Sequence, residues 1–183
     1  MPAPDLTDAQ AVARVLDGDR DAFRVLADRH YARCLRYARR ALGNRLDAED
    51  AVQETFLRAY DALGRYEERQ RFTAWLFRIL VNECRAAAAR RGRRDGPLAP
   101  DGDAIEQAAA PAAPDAGWRD AVERAVAALE PLLREAFLLR YVEDLGYAEM
   151  QAITGAGTSA LKMRVKRACD ALRARLEEEP SNV

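Results

Sequence analysis

Apolar residues recur at three- and four-residue intervals through positions 9–91, and no stretch alternates strictly between apolar and polar. That spacing predicts helices and no strands. Gly18, Gly43 and Gly64 punctuate the pattern and read as helix ends. They divide the segment into helices over residues 8–17, 20–42, 48–63 and 71–91, with Asp47 as the expected N-cap of the third and Asp50 at its capping-box position. The third helix, within "LDAEDAVQETFLRAYDAL", splits at about 100° per residue into two faces. Val52, Phe56, Ala59, Tyr60 and Leu63 form an apolar side; Asp47, Asp50, Glu54, Leu57 and Asp61 form an acidic one flanked by Gln53. An acidic face of this kind is either a solvated surface or a surface that meets a basic partner.

From residue 92 to residue 117 the periodicity stops. The stretch "GRRDGPLAPDGDAIEQAAAPAAPDAG" holds four prolines and no aromatic residue, the composition of a flexible linker, and it is acidic. Helical spacing resumes at Trp118. The fold class expected is therefore all-α: two small helical domains at 9–91 and 118–177, joined by the 92–117 linker and flanked by tails at 1–8 and 178–183. The second domain contains "GYAEMQAITGAGTSALKMRVKRACDALRARL", in which a short helix from Tyr147 to Ile153, a small-residue turn and a longer helix from Thr158 give helix-turn-helix spacing. Ala160, Leu161, Val165, Ala168 and Leu172 are expected to hold the second helix against its neighbours. Lys162, Met163, Lys166, Arg167 and Arg173 are expected to point outward, where long donors reach base edges and phosphates.

Composition changes this picture in three respects. The net charge of −1 argues against a polyanion partner, but the charges are segregated: "CRAAAARRGRR" and "LKMRVKRACDALRAR" are basic and "PDGDAIEQ" is acidic. Local patches set the potential that a ligand meets. No apolar run approaches the roughly 20 residues that span a bilayer, and "MPAPDLTDAQ" lacks the basic and apolar blocks of a signal peptide, so the expectation is a cytoplasmic protein with no direct membrane insertion. Cys34, Cys84 and Cys169 are far apart and there is one histidine, His30, so neither a metal site nor a disulfide framework is expected. His30 shares a helical stripe with Phe23, Leu26, Ala27 and Cys34, which assigns it to packing. No nucleophile and base pair and no phosphate-binding glycine loop is visible; the expectation is a non-enzyme without cofactors.

Four segments in order resemble the extracytoplasmic-function (ECF) group of the sigma-seventy family. "GDRDAFRVLADRHYARCLRYARRAL" resembles the family's first conserved region, and "DAEDAVQETFLRAY" resembles the segment that docks on the β′ clamp helices of RNA polymerase core. "RFTAWLFRILVNECR" is similar to the F-x-x-W-L-x-x-I-x-x-N pattern at the upstream edge of the transcription bubble, and "YAEMQAITGAGTSALKMRVKRA" aligns without a gap to the helix that reads the minus-thirty-five element and the turn before it. The resemblance implies a sigma factor whose partners are core polymerase, through its β′ clamp helices and β subunit, promoter DNA, and a separate anti-sigma factor. It implies core docking by Asp50, Gln53, Glu54, Leu57 and Asp61; minus-ten contacts by Ala62, Tyr66, Arg71, Arg78, Asn82 and Arg85; and minus-thirty-five contacts by Ser159, Lys162, Met163, Arg164, Lys166 and Arg167. Arg90 and Arg91 add phosphate contacts, "GRYEERQR" matches the family's specificity loop, and the acidic linker matches a segment that runs through the polymerase cleft. Trp75 fits either core packing or base stacking. Four positions depart from the family pattern: Ser159 and Ala160 stand where Gly-Thr is usual, Met163 where a small Ser is frequent, and Ala156 where a larger aliphatic is usual. The alternative is a helix-turn-helix repressor or activator that acts without core docking, and that protein would dimerise on a palindrome.

Overall fold

The computed structural model of the chain describes residues 6–67, 71–95 and 116–178. Among these the regular structure is helical throughout. Helix α1 (Asp8–Leu16) starts from Thr7, whose side chain accepts the Gln10 N–H while the Gln10 side chain accepts the Thr7 N–H. Helix α2 (Ala22–Leu42) ends at Gly43, which takes the left-handed conformation at φ 66° that a side chain would strain. Helix α3 (Arg45–Ala62) begins earlier than its periodicity predicts. Asn44, in extended backbone, is the N-cap: its side chain accepts the Asp47 N–H at 2.9 Å, which puts Asp47 inside the first turn. After a single tight turn (Leu63–Arg65), α4 runs from Phe72 to Asp95, through Gly92 and into the start of the expected linker. Residues 96–115 of that linker, residues 68–70 of the specificity loop, and most of both tails lie outside the described residues, and the last two linker positions, Ala116 and Gly117, already belong to the next helix.

Helices α1 to α4 enclose Leu26, Tyr37, Val52, Leu63, Leu76, Phe77 and Leu80, all essentially without solvent contact. His30 is buried at the edge of this core, where Nε2 lies 2.9 Å from Asp8 Oδ2. The second helical unit comprises α5 (Ala116–Ala127), α6 (Pro131–Phe137), α7 (Tyr147–Thr154) and α8 (Thr158–Glu178). Proline is well placed at the first position of α6, where its missing N–H has no helical acceptor to lose. At its end α6 widens into one π turn (Leu138–Val142), in which the Glu143 N–H donates to the Leu138 carbonyl at 3.0 Å. The chain then turns through Asp144, at φ 53°. Gly155, at φ 73°, closes α7 and makes the sharp corner before α8. Leu138, Leu139, Met150, Ile153 and Leu161 fill this core.

The two units pack together, α4 against α7 and α2 against α5, α6 and the π turn. Their buried apolar residues form one continuous core. Two sequence assignments change. Ala160 is exposed, because the helix enters its core face one residue later, at Leu161. Tyr60 is also partly exposed; Thr55 instead joins Ala48, Ala51, Val52 and Ala59 on the buried side of α3, its hydroxyl donating to the Ala51 carbonyl.

Candidate functional site

The described residues present three polar faces on three helices. On α3, Asp50, Gln53, Leu57 and Asp61 are exposed and Glu54 is half-buried. Leu57 is 56% exposed, too open for a core leucine and suited to an apolar anchor. Beside this stripe lies an open groove of about 660 Å³ between α2 and α3, with Phe23, Tyr31, Phe56, Leu57 and Tyr60 as its floor and Glu49, Gln53 and Asp61 among its lining residues. Phe23 meets Tyr60 edge-on at 5.1 Å, and Tyr31 stacks on Phe56 at 6.2 Å. Sequence reasoning missed this groove; Tyr31, about two turns along α2 from Phe23, is the signal that points to it. Glu54 is not a free charge. Arg58 Nε donates to it at 2.7 Å, and the same guanidinium lies 2.9 Å from Glu83, a carboxylate buried beneath. Those carboxylates, Glu54 first, raise the Arg58 pKa above its ordinary value.

On α4, Arg78 and Asn82 are exposed one turn apart. Arg85 continues the stripe, but its guanidinium turns to the second unit: Nε and Nη2 donate to Glu135 at 2.8 and 2.7 Å. Tyr66 and Trp75 are half-buried and pack with Phe72 at centroid distances of 5.2–5.8 Å. Ala62 is half-buried at the end of α3; Arg71 is exposed, 3.6 Å from Glu149. Of the outer arginines, Arg90 is exposed and Arg91 half-buried near Asp47. Arg78, Asn82 and Arg85 thus follow one another on successive turns of α4, with Arg85 already engaged.

On α8, Ser159, Lys162, Met163, Lys166 and Arg167 are exposed and Arg164 is half-buried. Lys166 lies 3.1 Å from Asp170 and Lys162 Nζ lies 5.8 Å from the centre of the Tyr147 ring. The helix is fixed at its start by Thr158, whose hydroxyl donates to the Gln151 side chain at 2.7 Å. Among the described residues no cluster of three or more His, Cys, Asp or Glu side chains is arranged to hold a metal, and no helix is long and apolar enough to cross a membrane.

Against known families, the Sigma-70 region 2 model matches residues 26–94 and the Sigma-70, region 4 model matches residues 119–172. The RNA polymerase sigma factor CarQ of Myxococcus xanthus is 34% identical over 165 residues, which cover 90% of this chain and 95% of that one. The chain belongs to the sigma-seventy family, as an ECF sigma factor. The ECF RNA polymerase sigma-E factor of Escherichia coli K12 is 32% identical over 180 residues, with 91% of this chain and 93% of the relative covered. Two solved structures share the fold across both regions. CnrH, in complex with the cytosolic domain of CnrY, superposes with a TM-score of 0.69 at 26% identity over 92% of this chain and 96% of its own. The sigma factor RpoE of Bartonella quintana, in complex with the anti-sigma factor NepR, superposes with a TM-score of 0.68 at 28% identity over 86% of this chain and 98% of its own. As a sigma factor the protein serves RNA polymerase core at promoter DNA. Its matched regions fall on α2–α4 and on α5–α8.

Proposed function

We propose that the three faces divide the work of initiation. The α3 stripe of Asp50, Gln53, Glu54, Leu57 and Asp61 docks on the basic β′ clamp helices, with the aromatic groove beside it receiving apolar side chains of the same partner. The α4 face and the adjoining loop, with Ala62, Tyr66, Arg71, Arg78, Asn82 and Arg85, take the minus-ten strand. Asn82 hydrogen-bonds an extruded base there, while the arginines hold phosphates. The α8 face, with Ser159, Lys162, Met163, Arg164, Lys166 and Arg167, reads the minus-thirty-five duplex. Met163 offers no directional hydrogen bond, so recognition there rests on the lysines, Arg167 and duplex shape. The observation that carries this reading is that α3, α4 and α8 of one chain each present exposed polar residues, Asp50 and Gln53, Arg78 and Asn82, and Lys162 and Lys166: a duplex-binding repressor would need only the last. The protein works without a cofactor, as a binding factor in the cytoplasm, where core polymerase acts. One structural relative, RpoE, was solved with the anti-sigma factor NepR, and this supports control of the present chain by an anti-sigma factor.

The deciding experiment follows melting by permanganate reactivity of thymines near the start site. Asn82→Ala slows open-complex formation more than closed-complex binding, and a template with a pre-melted mismatch bubble restores part of the loss, because unstacking is already accomplished. Equal melting by Asn82→Ala and the unmodified chain on a duplex promoter would remove Asn82 from the pocket. Failure of the unmodified chain and core to open any promoter would remove the whole assignment.

A further inference from the structure

Arg85 belongs by position to the face that meets single-stranded DNA, yet among the described residues every hydrogen-bond partner of its guanidinium lies in region 4. Its Nε and Nη2 form a two-pronged pair with Glu135, and Nη1 and Nη2 reach the Thr154 carbonyl at 3.4 and 3.5 Å, at the C-terminal end of α7. A guanidinium fork that faces a carboxylate in this way has the geometry it would use for a phosphate, and it can serve one of the two at a time. Glu135 is itself buried, with no other cation bonded to it among the described residues. A second tie repeats the arrangement. Arg33 on α2 donates through Nε to Glu143 Oε2 at 2.5 Å and through Nη2 to the Glu143 carbonyl at 3.1 Å, and the Glu143 side chain is 1% exposed. Arg134 adds a third, donating to the Ala41 carbonyl at the end of α2 at 2.9 Å.

These contacts hold the helix-turn-helix against the minus-ten helix. Promoter elements about 25 base pairs apart are separated by roughly 80 Å of B-form duplex, at about 3.4 Å per base pair. A chain in which Thr154 of α7 is hydrogen-bonded to Arg85 of α4 cannot reach both. The segment joining α4 to α5, residues 96–115, has a fully extended reach of about 70 Å, enough for the regions to part by most of that distance.

We propose that Arg85 is a switch residue: in the free chain it clasps Glu135 and closes region 4 on region 2, and it is released to the promoter strand only when that clasp and the Arg33–Glu143 pair open together. The inference rests on the assignment of the α4 face to minus-ten DNA, but its closure arm stands without it. Closure withholds a phosphate-binding arginine from the DNA and keeps the two reading helices too close to span a promoter, so the fraction of open chains sets the apparent affinity for promoter DNA.

Small-angle scattering of the full chain, paired with open-complex yield at subsaturating chain and fixed core, tests this. Arg33→Ala and Glu135→Gln each enlarge the maximum dimension of the free chain and raise open-complex yield about threefold or more. Arg85→Ala enlarges the chain as much but lowers the yield, since the DNA contact goes with the clasp. The exchanged pair Arg85→Glu with Glu135→Arg restores the compact dimensions, which a merely misfolded chain would not do; circular dichroism checks helix content in each case. Scattering profiles of Arg33→Ala and Glu135→Gln that superpose on that of the unmodified chain overturn the clasp. Expansion with an undiminished yield in Arg85→Ala overturns the exchange of partners while leaving the clasp. An unmodified chain that opens no promoter with core indicts the sigma assignment instead.

Discussion

Cys34 and Cys84 show how far burial sets the chemistry of a side chain. Both thiols are pushed up to about 12 from the ordinary 9.0, chiefly because the core around them cannot solvate a thiolate, and burial raises the neighbouring Tyr37 phenol in the same direction. In the unfolded chain the thiols ionise above about pH 9, while in the folded chain they stay protonated. Their contribution to stability is therefore intact below pH 9 and is lost as pH rises from 9 towards 12, at no more than about 1.4 kcal/mol per pH unit for each group. Urea midpoints measured between pH 8 and pH 11 should fall, and the fall should be shallower in the Cys34→Ala, Cys84→Ala double variant. On α3 the cleaner test of docking is Asp50→Lys. The site is exposed, so stability should change by less than about 0.5 kcal/mol, while retention of core polymerase in a pull-down is lost. Glu54→Lys carries an added cost, because it sets a lysine against Arg58 and removes the partner of a guanidinium that also serves buried Glu83. That coupling was invisible in the sequence, where Glu54 and Asp50 look alike. Tyr60 and Ala160 were misjudged for a related reason: a 100° wheel cannot say on which side of a boundary a small or amphipathic residue falls.

The helices themselves were legible because their apolar spacing is long and regular. Their ends were less so. Asn44 outcompetes Asp47 as the cap of α3 because its backbone is extended and its side chain reaches the third N–H, a geometric fact that composition does not carry. The helix-turn-helix was read almost to the residue, since the glycine required at Gly155 and the polar start at Thr158 both mark its corner. The π turn at the end of α6 had no such mark, because "FLLRYV" holds no glycine, proline or capping residue to set it apart from a regular turn. At the level of α8 the outward face divides by function. Lys162→Ala should cost about 1–3 kcal/mol in binding to a minus-thirty-five duplex if it meets a base, and Arg167→Ala should weaken binding to all sequences alike and reduce the salt slope by about one if it meets a phosphate. Titrations of labelled duplex at several salt concentrations separate the two.

Two helical units and a linker could be read from the chain, but not their closure on one another, because pairings across 50 and 110 residues such as Arg85–Glu135 and Arg33–Glu143 leave no local pattern. The pairs are also unequal in their consequences. Arg33→Ala strands Glu143 in a site it shares with no solvent, a cost of about 3–5 kcal/mol if the units stay together, which parting relieves; Glu143→Gln leaves only a partly solvated arginine. Thermal unfolding followed by circular dichroism should therefore show a larger drop in midpoint for Arg33→Ala than for Glu143→Gln. The π turn of α6 governs whether both ties can form at all. Eight residues separate Glu135 from Glu143, and on a regular α-helix they would stand about 80° apart in azimuth. The wider turn absorbs one residue, so the effective step is seven and the two carboxylates come within about 20° of the same meridian, both towards region 2. A chain one residue shorter between Leu138 and Val142, with α6 regular to its end, would keep that phase, whereas a chain of the present length with the turn regularised would rotate Glu143 off the meridian and leave Glu135 as the one buried carboxylate of α6 that meets an arginine of region 2.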